Sequence, residues 1–310
     1  MIQIITFSFN RAMQLDTLLS SLVSHWKAPE YRIDVVYNYS TEDFGRAYEK
    51  LVRDYNGKPV KLHRESKKRA DSYTFVDYLC LDNIMRLIRS PKLRHPRTDF
   101  RSIVIELLET TDADNVMFLT DDSMFISDID IDSNVLNWIN EKPTERQFSL
   151  RLGKGVSELP NTIKYNGDYC VWNMYENNGN WGYPFSVDAH IYNKSIILKL
   201  FKKYIFTNPN SLEANICSSI KKKNWFGESR CFTDIKMLTF PINIVQDVVD
   251  NVSQNVSVEL LNKRYLNGEH MKYVMADKYN AEKQYVRQLE FISSDGTSSY
   301  AIINDKPVRE

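Results

Sequence analysis

Net charge is what this sequence most plainly lacks. Forty lysines and arginines stand against forty aspartates and glutamates in 310 residues, a formal total of zero, which excludes a surface built to neutralise the phosphates of a long nucleic acid. Cysteine is scarce as well. Cys80, Cys170, Cys217 and Cys231 lie far apart, form neither a CxxC pair nor a dense disulfide framework, and read as reduced, packed thiols. No apolar run approaches the ~20 residues that cross a bilayer. The opening MIQIITFSFNR has no basic region followed by an apolar stretch and a cleavage site. A cytoplasmic protein is expected, with the inner face of the membrane left open as its place of work. The Asn-x-Ser sequences at Asn38, Asn193, Asn251 and Asn255 are therefore read as unmodified. Repeats and low-complexity linkers are missing too.

What is present points to a layered α/β molecule. With 43% of residues hydrophobic and 26% charged, the chain can bury a large core, in one big domain or in one with a smaller appendage. Its first third alternates strand-like and helix-like periods, the pattern of a parallel sheet with helices on its faces. Ile2 to Phe7 reads as a buried strand, and Leu15, Leu18, Leu19 and Leu22 as the inner face of a helix. Ile33 to Tyr37, then Ala47, Tyr48, Leu51 and Val52, repeat the unit. Val60 to His63 predicts a third strand, and 72–89 a helix with Phe75, Val76, Leu79, Ile84, Leu87 and Ile88 turned inward. A helix over 100–110 precedes a strand, Asn115 to Leu119, that stops at Thr120-Asp121-Asp122.

Beyond Pro143 the expectation is a strand at 148–152 and a hairpin over 169–185 turning at Asn177-Asn178-Gly179-Asn180, followed by helices at 195–204 and 211–221. Residues 1–250 are expected to form the α/β domain, divided near 130, with a mixed, mostly parallel central sheet flanked by helices. A mainly helical appendage is expected over 251–310, ending in a strand near 285–292.

The chemistry concentrates at Asp121-Asp122. Two adjacent carboxylates at the end of a buried strand repel each other and resist desolvation, so a cation that neutralises both is one explanation. Oxygen ligands favour Mg2+ or Mn2+. The alternative is a turn at Asp121 and a helix cap at Asp122. Ligands of open α/β sheets bind outside the carboxyl ends of the strands, where the loops 8–11, 37–42 and 120–123 would converge.

Lys67-Lys68-Arg69 is either a diphosphate contact or a solvated loop. In Trp181-Gly182-Tyr183-Pro184-Phe185-Ser186-Val187-Asp188-Ala189-His190, the aromatics Trp181 and Tyr183 form a sugar platform or a sheet core. His190 reads as a metal or phosphate ligand or as a satisfied core histidine. Glu213, in Asn208-Pro209-Asn210-Ser211-Leu212-Glu213, reads as a first-turn capping partner, with Asn210 or Ser211 as the cap. Asn243 and Gln246, after an expected strand at 238–242, suit sugar hydroxyls or a turn.

Ile4-Ile5-Thr6-Phe7-Ser8-Phe9-Asn10-Arg11 resembles the opening strand and loop of the nucleotide-sugar glycosyltransferases of family 2. Val35-Val36-Tyr37-Asn38-Tyr39-Ser40-Thr41-Glu42-Asp43 resembles their second strand and loop, and Thr120-Asp121-Asp122 a variant of their DxD metal motif. The resemblance covers roughly the first 130 residues, and it implies a GT-A fold and an enzyme. The donor would be a nucleoside diphosphate sugar, and the acceptor a hydroxyl of a glycan or lipid-linked oligosaccharide in surface polysaccharide biosynthesis. Phe7 and Phe9 would then flank the nucleobase, Asn10 and Arg11 would shape the donor loop, and Ser8, Asn38, Tyr39, Lys68 and Asp121 would line the donor site.

The same resemblance implies metal at Asp122 and Asp121, to which His190 is added as a candidate ligand, and a catalytic carboxylate at Glu213, with Asp188 as the rival base for inversion. The family's acidic residues are replaced here by Tyr37 and Asn38, which leaves the identity of the base open. Two other readings stand beside this one. A sugar nucleotidyltransferase is disfavoured by the absence of glycine from Thr6 to Arg11. A non-catalytic glycan-binding protein would use Trp172, Trp181, Tyr183 and Trp225.

Overall fold

The computed structural model describes residues 1–155, 159–245, 253–274 and 286–303. Strand β1 (Ile2–Phe9) is buried along nearly its whole length. Its two-residue period sends Ile2 and Ile4 into one core and Ile5 and Phe7 into a second on the opposite face. Asn10 then takes a left-handed backbone, φ 57°, which asparagine tolerates, and turns the chain into α1 (Ala12–His25). A short β2 (Trp26–Ala28) leads to β3 (Tyr31–Asn38), α2 (Glu42–Asp54) and β4 (Val60–Arg64). The helices α3 (Phe75–Tyr78), α4 (Leu81–Arg89) and α5 (Phe100–Thr110) precede β5 (Asn115–Thr120).

The second half supplies β6 (Ser123–Phe125), β7 (Ile129–Asp130), α6 (Ser133–Glu141), β8 (Arg146–Ser149), β9 (Lys164–Asn166) and β10 (Tyr169–Asn173). It continues with β11 (His190–Asn193), α7 (Lys194–Lys203), α8 (Pro209–Lys221), β12 (Glu228–Phe232) and β13 (Met237–Thr239). Nine of these strands form one sheet in the order β4-β3-β1-β5-β11-β8-β12-β10-β9. The ladders set only β10 and β11 against the direction of the other seven. The sheet is therefore mixed and mostly parallel. The first core joins one face to α1, α2 and α6, and the second joins the other face to α5, α7 and α8.

Three expectations are corrected. The helix over 72–89 is two helices broken at Leu79 and Cys80, and most of its apolar side points outward. Phe75, Val76, Leu79 and Ile88 are 76%, 69%, 65% and 59% exposed, while Leu87 is buried. The hairpin over 169–185 does not form, because the chain after β10 folds back in short 3-10 turns that pack Trp181 edge-on against Trp172, 4.8 Å between ring centres. The hairpin lies one element earlier, between β9 and β10, with Gly167 at φ 58° in its turn.

The described part of 251–310 is not mainly helical. One helix, α9 (Val258–Leu266), is followed by an antiparallel sheet of β14 (His270–Val274), β15 (Gln288–Ile292) and β16 (Ser298–Ile302). Met271, Tyr273, Leu289 and Phe291 alternate inward from these strands into the first core, a period of two rather than 3.6. Tyr285, where the late strand was expected to begin, lies outside the described residues, as does Gln246. Among the described residues no helix is long and apolar enough to cross a membrane.

Candidate functional site

The parallel strands β1, β3 and β5 open their following loops onto one rim of the sheet. Asn10 and Ser40 lock the first two loops together: Asn10 Nδ2 donates to Ser40 Oγ and the Ser40 N–H donates to Asn10 Oδ1, both at 2.9 Å. At the centre of the rim is Arg11, whose Nη1 lies 2.9 Å from Asp121 and 3.4 Å from Asp122. Its Nη2 donates to the Asn243 carbonyl, in the loop after β13. Burial works against the charge of Arg11, but Asp121 and then Asp122 outweigh it and raise its pKa.

Asp121 also accepts from the Ser8 hydroxyl at 2.8 Å and the Phe9 N–H at 3.3 Å. Its carboxyl is nonetheless pushed up to about 6, by burial first, with Arg11 pulling down and Asp122 adding repulsion. Tyr48 completes the inner wall, its hydroxyl 2.6 Å from Ser8 Oγ and accepting from the Arg11 N–H at 3.2 Å.

A divalent metal is implied by the resemblance, and these residues fit one in reduced form. Asp121 has both oxygens engaged. Asp122, in contrast, keeps Oδ1 buried without a partner, an orphan carboxylate oxygen suited to a hard cation that draws its remaining ligands from phosphate and water. The expected set of Asp121, Asp122 and His190 is not assembled: no three His, Cys, Asp or Glu side chains converge on a metal position among the described residues. His190 is buried in the sheet with Nδ1 at 2.8 Å from Gln147. Burial, then Arg151, holds its pKa well below the ordinary value and keeps the ring neutral.

The aromatic residues of the rim divide. Phe7 belongs to the second core, packed against Phe100 and Phe118, and has no face left for a base. Phe9 stands at the strand end, 38% exposed. Tyr37 stacks on Tyr48 at 4.4 Å, and the Arg64 guanidinium lies 4.0 Å over the Tyr39 ring. A methyl group on Gly45 would come within 2.8 Å of Tyr39 Cζ, so glycine is what lets that ring settle here. Asn38 Nδ2 reaches Glu65 at 3.4 Å. Burial raises the Glu65 carboxyl, and an acidic residue directly after β4 was the signal that sequence reasoning passed over. Lys68 is exposed on the following loop.

A second polar cluster adjoins the first through Ser123, one residue past Asp122. Ser123 Oγ donates to Asp188 at 3.2 Å, and Thr239 Oγ1 and Arg151 Nη1 reach the other carboxylate oxygen at 3.2 Å each. Arg151 was missed, although it is the one charge in an otherwise apolar strand-like run. Glu213 accepts from the Val187 N–H at 2.9 Å, on the same loop as Asp188. It takes no part in the helix cap: Asn208 caps α8 and Ser211 completes the capping box. That frees Glu213 to turn inward, where burial raises its pKa against the pull of Val187, Arg151 and Ser186.

Tyr183 bonds to Glu213, whereas Trp181 is 2% exposed and is no sugar platform. Trp172 is buried too, which removes two of the four aromatics that a glycan-binding surface would need. From the C-terminal sheet, Tyr273 stacks on Phe240 at 4.0 Å and 7°. Burial and the Asp122 charge both raise its pKa.

No family model matches the chain. Among solved structures it is similar to S. aureus TarS, at 14% identity and a TM-score of 0.45 over 76% of this chain and 36% of that one. It is also similar to the mannosyltransferase PcManGT from Pyrobaculum calidifontis in complex with GDP-Man and Mn2+, at 12% identity and a TM-score of 0.43 over 75% of this chain and 54% of that one. In sequence it is similar to the bifunctional glycosyltransferase pgtA of Dictyostelium discoideum, 26% identical over 316 aligned residues. That alignment takes in 87% of this chain but only 36% of the relative, so the chain spans little more than a third of the length of the glycosyltransferase that it resembles.

Proposed function

We propose that the protein is a glycosyltransferase that moves a sugar from a nucleoside diphosphate sugar to a hydroxyl of a glycan or lipid-linked oligosaccharide, with inversion, in surface polysaccharide biosynthesis. The observation that carries this reading is a pair of carboxylates, Glu213 and Asp188, held by one loop beside the turn that bears Asp121 and Asp122. A donor site and a base within reach of it are what the reaction requires. Similarity to a glycosyltransferase over most of the chain supports it.

In this mechanism Phe9 offers a ring face to the base, Asn38 a hydrogen-bonding amide, and Tyr39, under Arg64, lines the donor site beside them. Arg11 and Asp121 fix the loop under the donor. Glu213 takes the acceptor hydroxyl proton as that oxygen bonds to the anomeric carbon. The bond from that carbon to the phosphate oxygen breaks, and its electron pair leaves with the nucleoside diphosphate. Burial fits Glu213 for this role, because a raised pKa makes a stronger base. Asp188, engaged by Arg151, Ser123 and Thr239, suits a positioning role. Mn2+ or Mg2+ bound to the free Oδ1 of Asp122 would supply charge that stabilises the departing diphosphate.

The test is thermal stability with Mn2+ and a panel of nucleoside diphosphates, read beside sugar transfer. A ligand selective for the native state raises its melting temperature. A rise that needs both ligands is expected, absent in Asp122→Ala and retained in Glu213→Gln, the latter with transfer lost. No rise with any nucleotide sinks the donor site. Undiminished transfer in Glu213→Gln sinks the proposed base alone.

A further inference from the structure

The helices α3 and α4 are amphipathic in the inverted sense. Their polar side chains face the protein. Asp77 pairs with Arg101 at 2.9 Å, Asn83 Nδ2 donates to the Lys203 carbonyl at 3.0 Å, Asn83 Oδ1 accepts from the Ile205 N–H at 3.2 Å, and Arg86 donates to the Asn215 carbonyl at 2.7 Å. Leu87 goes inward with Leu93 and Ile205, and Ile84 is half-buried. The outward side carries Phe75, Val76, Leu79, Leu81 and Ile88, between 59% and 77% exposed. An element whose buried polar groups are satisfied and whose apolar side chains stand in water is fitted to an apolar surrounding that the described residues do not supply.

Charge names the surrounding. Residues 75–97 hold five arginines and lysines against two aspartates, and 194–203 hold four lysines and no acid. Of these charges Asp77 and Arg86 both face the protein, which leaves four cations against Asp82. Val76, Leu79, Leu81, Lys199 and Lys203 line one open cleft of about 750 Å3, together with Lys202, which pairs with Glu109, and Asp82, which pairs with Lys222. A second copy of this face would bring two cationic rims together, so self-association is disfavoured. A bilayer with anionic headgroups matches both properties: lysines meet phosphates while separate apolar side chains enter the acyl boundary, with no need of a shaped partner.

We propose that the α3–α4 face and the end of α7 form a docking surface for an anionic phospholipid bilayer. The inference stands apart from the transferase reading, because it uses none of the residues of that site. In chain order α3 and α4 follow β4, which pairs with β3 in the same sheet.

The experiment is co-sedimentation with vesicles of phosphatidylcholine alone and of phosphatidylcholine mixed with phosphatidylglycerol. Binding to the mixed vesicles is expected, about tenfold weaker on phosphatidylcholine alone and declining with added salt. A double variant Leu79→Ser with Leu81→Ser, and another Lys199→Glu with Lys203→Glu, should each weaken it about tenfold. All four side chains are exposed, and an unchanged melting temperature confirms the fold of each variant. Failure to sediment with the mixed vesicles overturns the proposal. So does equal sedimentation of both variants and the parent, or a concentration-dependent dimer that Leu79→Ser with Leu81→Ser dissolves.

Discussion

Arg11 holds one positive charge between two carboxylates, and both it and Asp121 are buried. Its loss would leave Asp121 buried with only the Ser8 hydroxyl and one backbone N–H to compensate it. Arg11→Met is therefore expected to destabilise the fold by about 3–5 kcal/mol at neutral pH, and adding Asp121→Asn should recover part of the loss, because removing both charges costs less than stranding one. Urea unfolding of the two variants checks this, and a single-variant loss below about 1 kcal/mol would show that water reaches the cluster. Both residues were visible in the sequence as site candidates, but their pairing was not. A run that reads Thr-Asp-Asp after an apolar strand announces charge at a rim, and says nothing of a guanidinium 110 positions earlier that neutralises it.

At the scale of elements, helix α8 shows how a cap governs a side chain several residues on. Asn208 and Ser211 satisfy each other's backbone N–H groups, so Glu213 is released from the helix start and reaches Val187. Asn208→Ala is expected to cost about 1 kcal/mol through the lost cap. It should lower transfer further than that loss of stability explains, since the helix start positions the proposed base. Turnover measured well below the melting temperature separates the two effects, and unimpaired turnover there would mean that Glu213 does not depend on the cap.

Strands buried on both faces, such as β1 and β5, were legible because nothing but a sheet centre explains so continuous an apolar run. The helices α1, α2 and α5 were legible from their period. The direction of the α3–α4 face was not, because an apolar stripe looks the same whether protein or another apolar phase covers it. The choice between platform and core for Trp181 was not legible for a related reason: its ring packs on Trp172 through a fold-back that no local period encodes.

The molecule as a whole is held shut by its C-terminal sheet. His270 Nδ1 lies 2.6 Å from Asp16, joining β14 to α1, and this hydrogen bond, opposed by partial burial, raises the His270 pKa. The folded state thus favours the protonated ring. The contribution is present in full below the ordinary value of 6.5 and is lost as pH rises through the raised value. His270 is half exposed, so the melting temperature should fall by only ~1–2 °C across that window. The fall should vanish in His270→Asn, and a parent protein with a flat profile would count against the pairing.

The stack of Phe240 on Tyr273, which joins the loop that receives Arg11 to that C-terminal sheet, has a consequence for how the protein is made. Arg11 and Asp121 precede Asn243 and Tyr273 in the chain, and leave the ribosome before them. The charge cluster therefore stays uncovered until the residues that close it have been made. Closing it waits on the arrival of Tyr273.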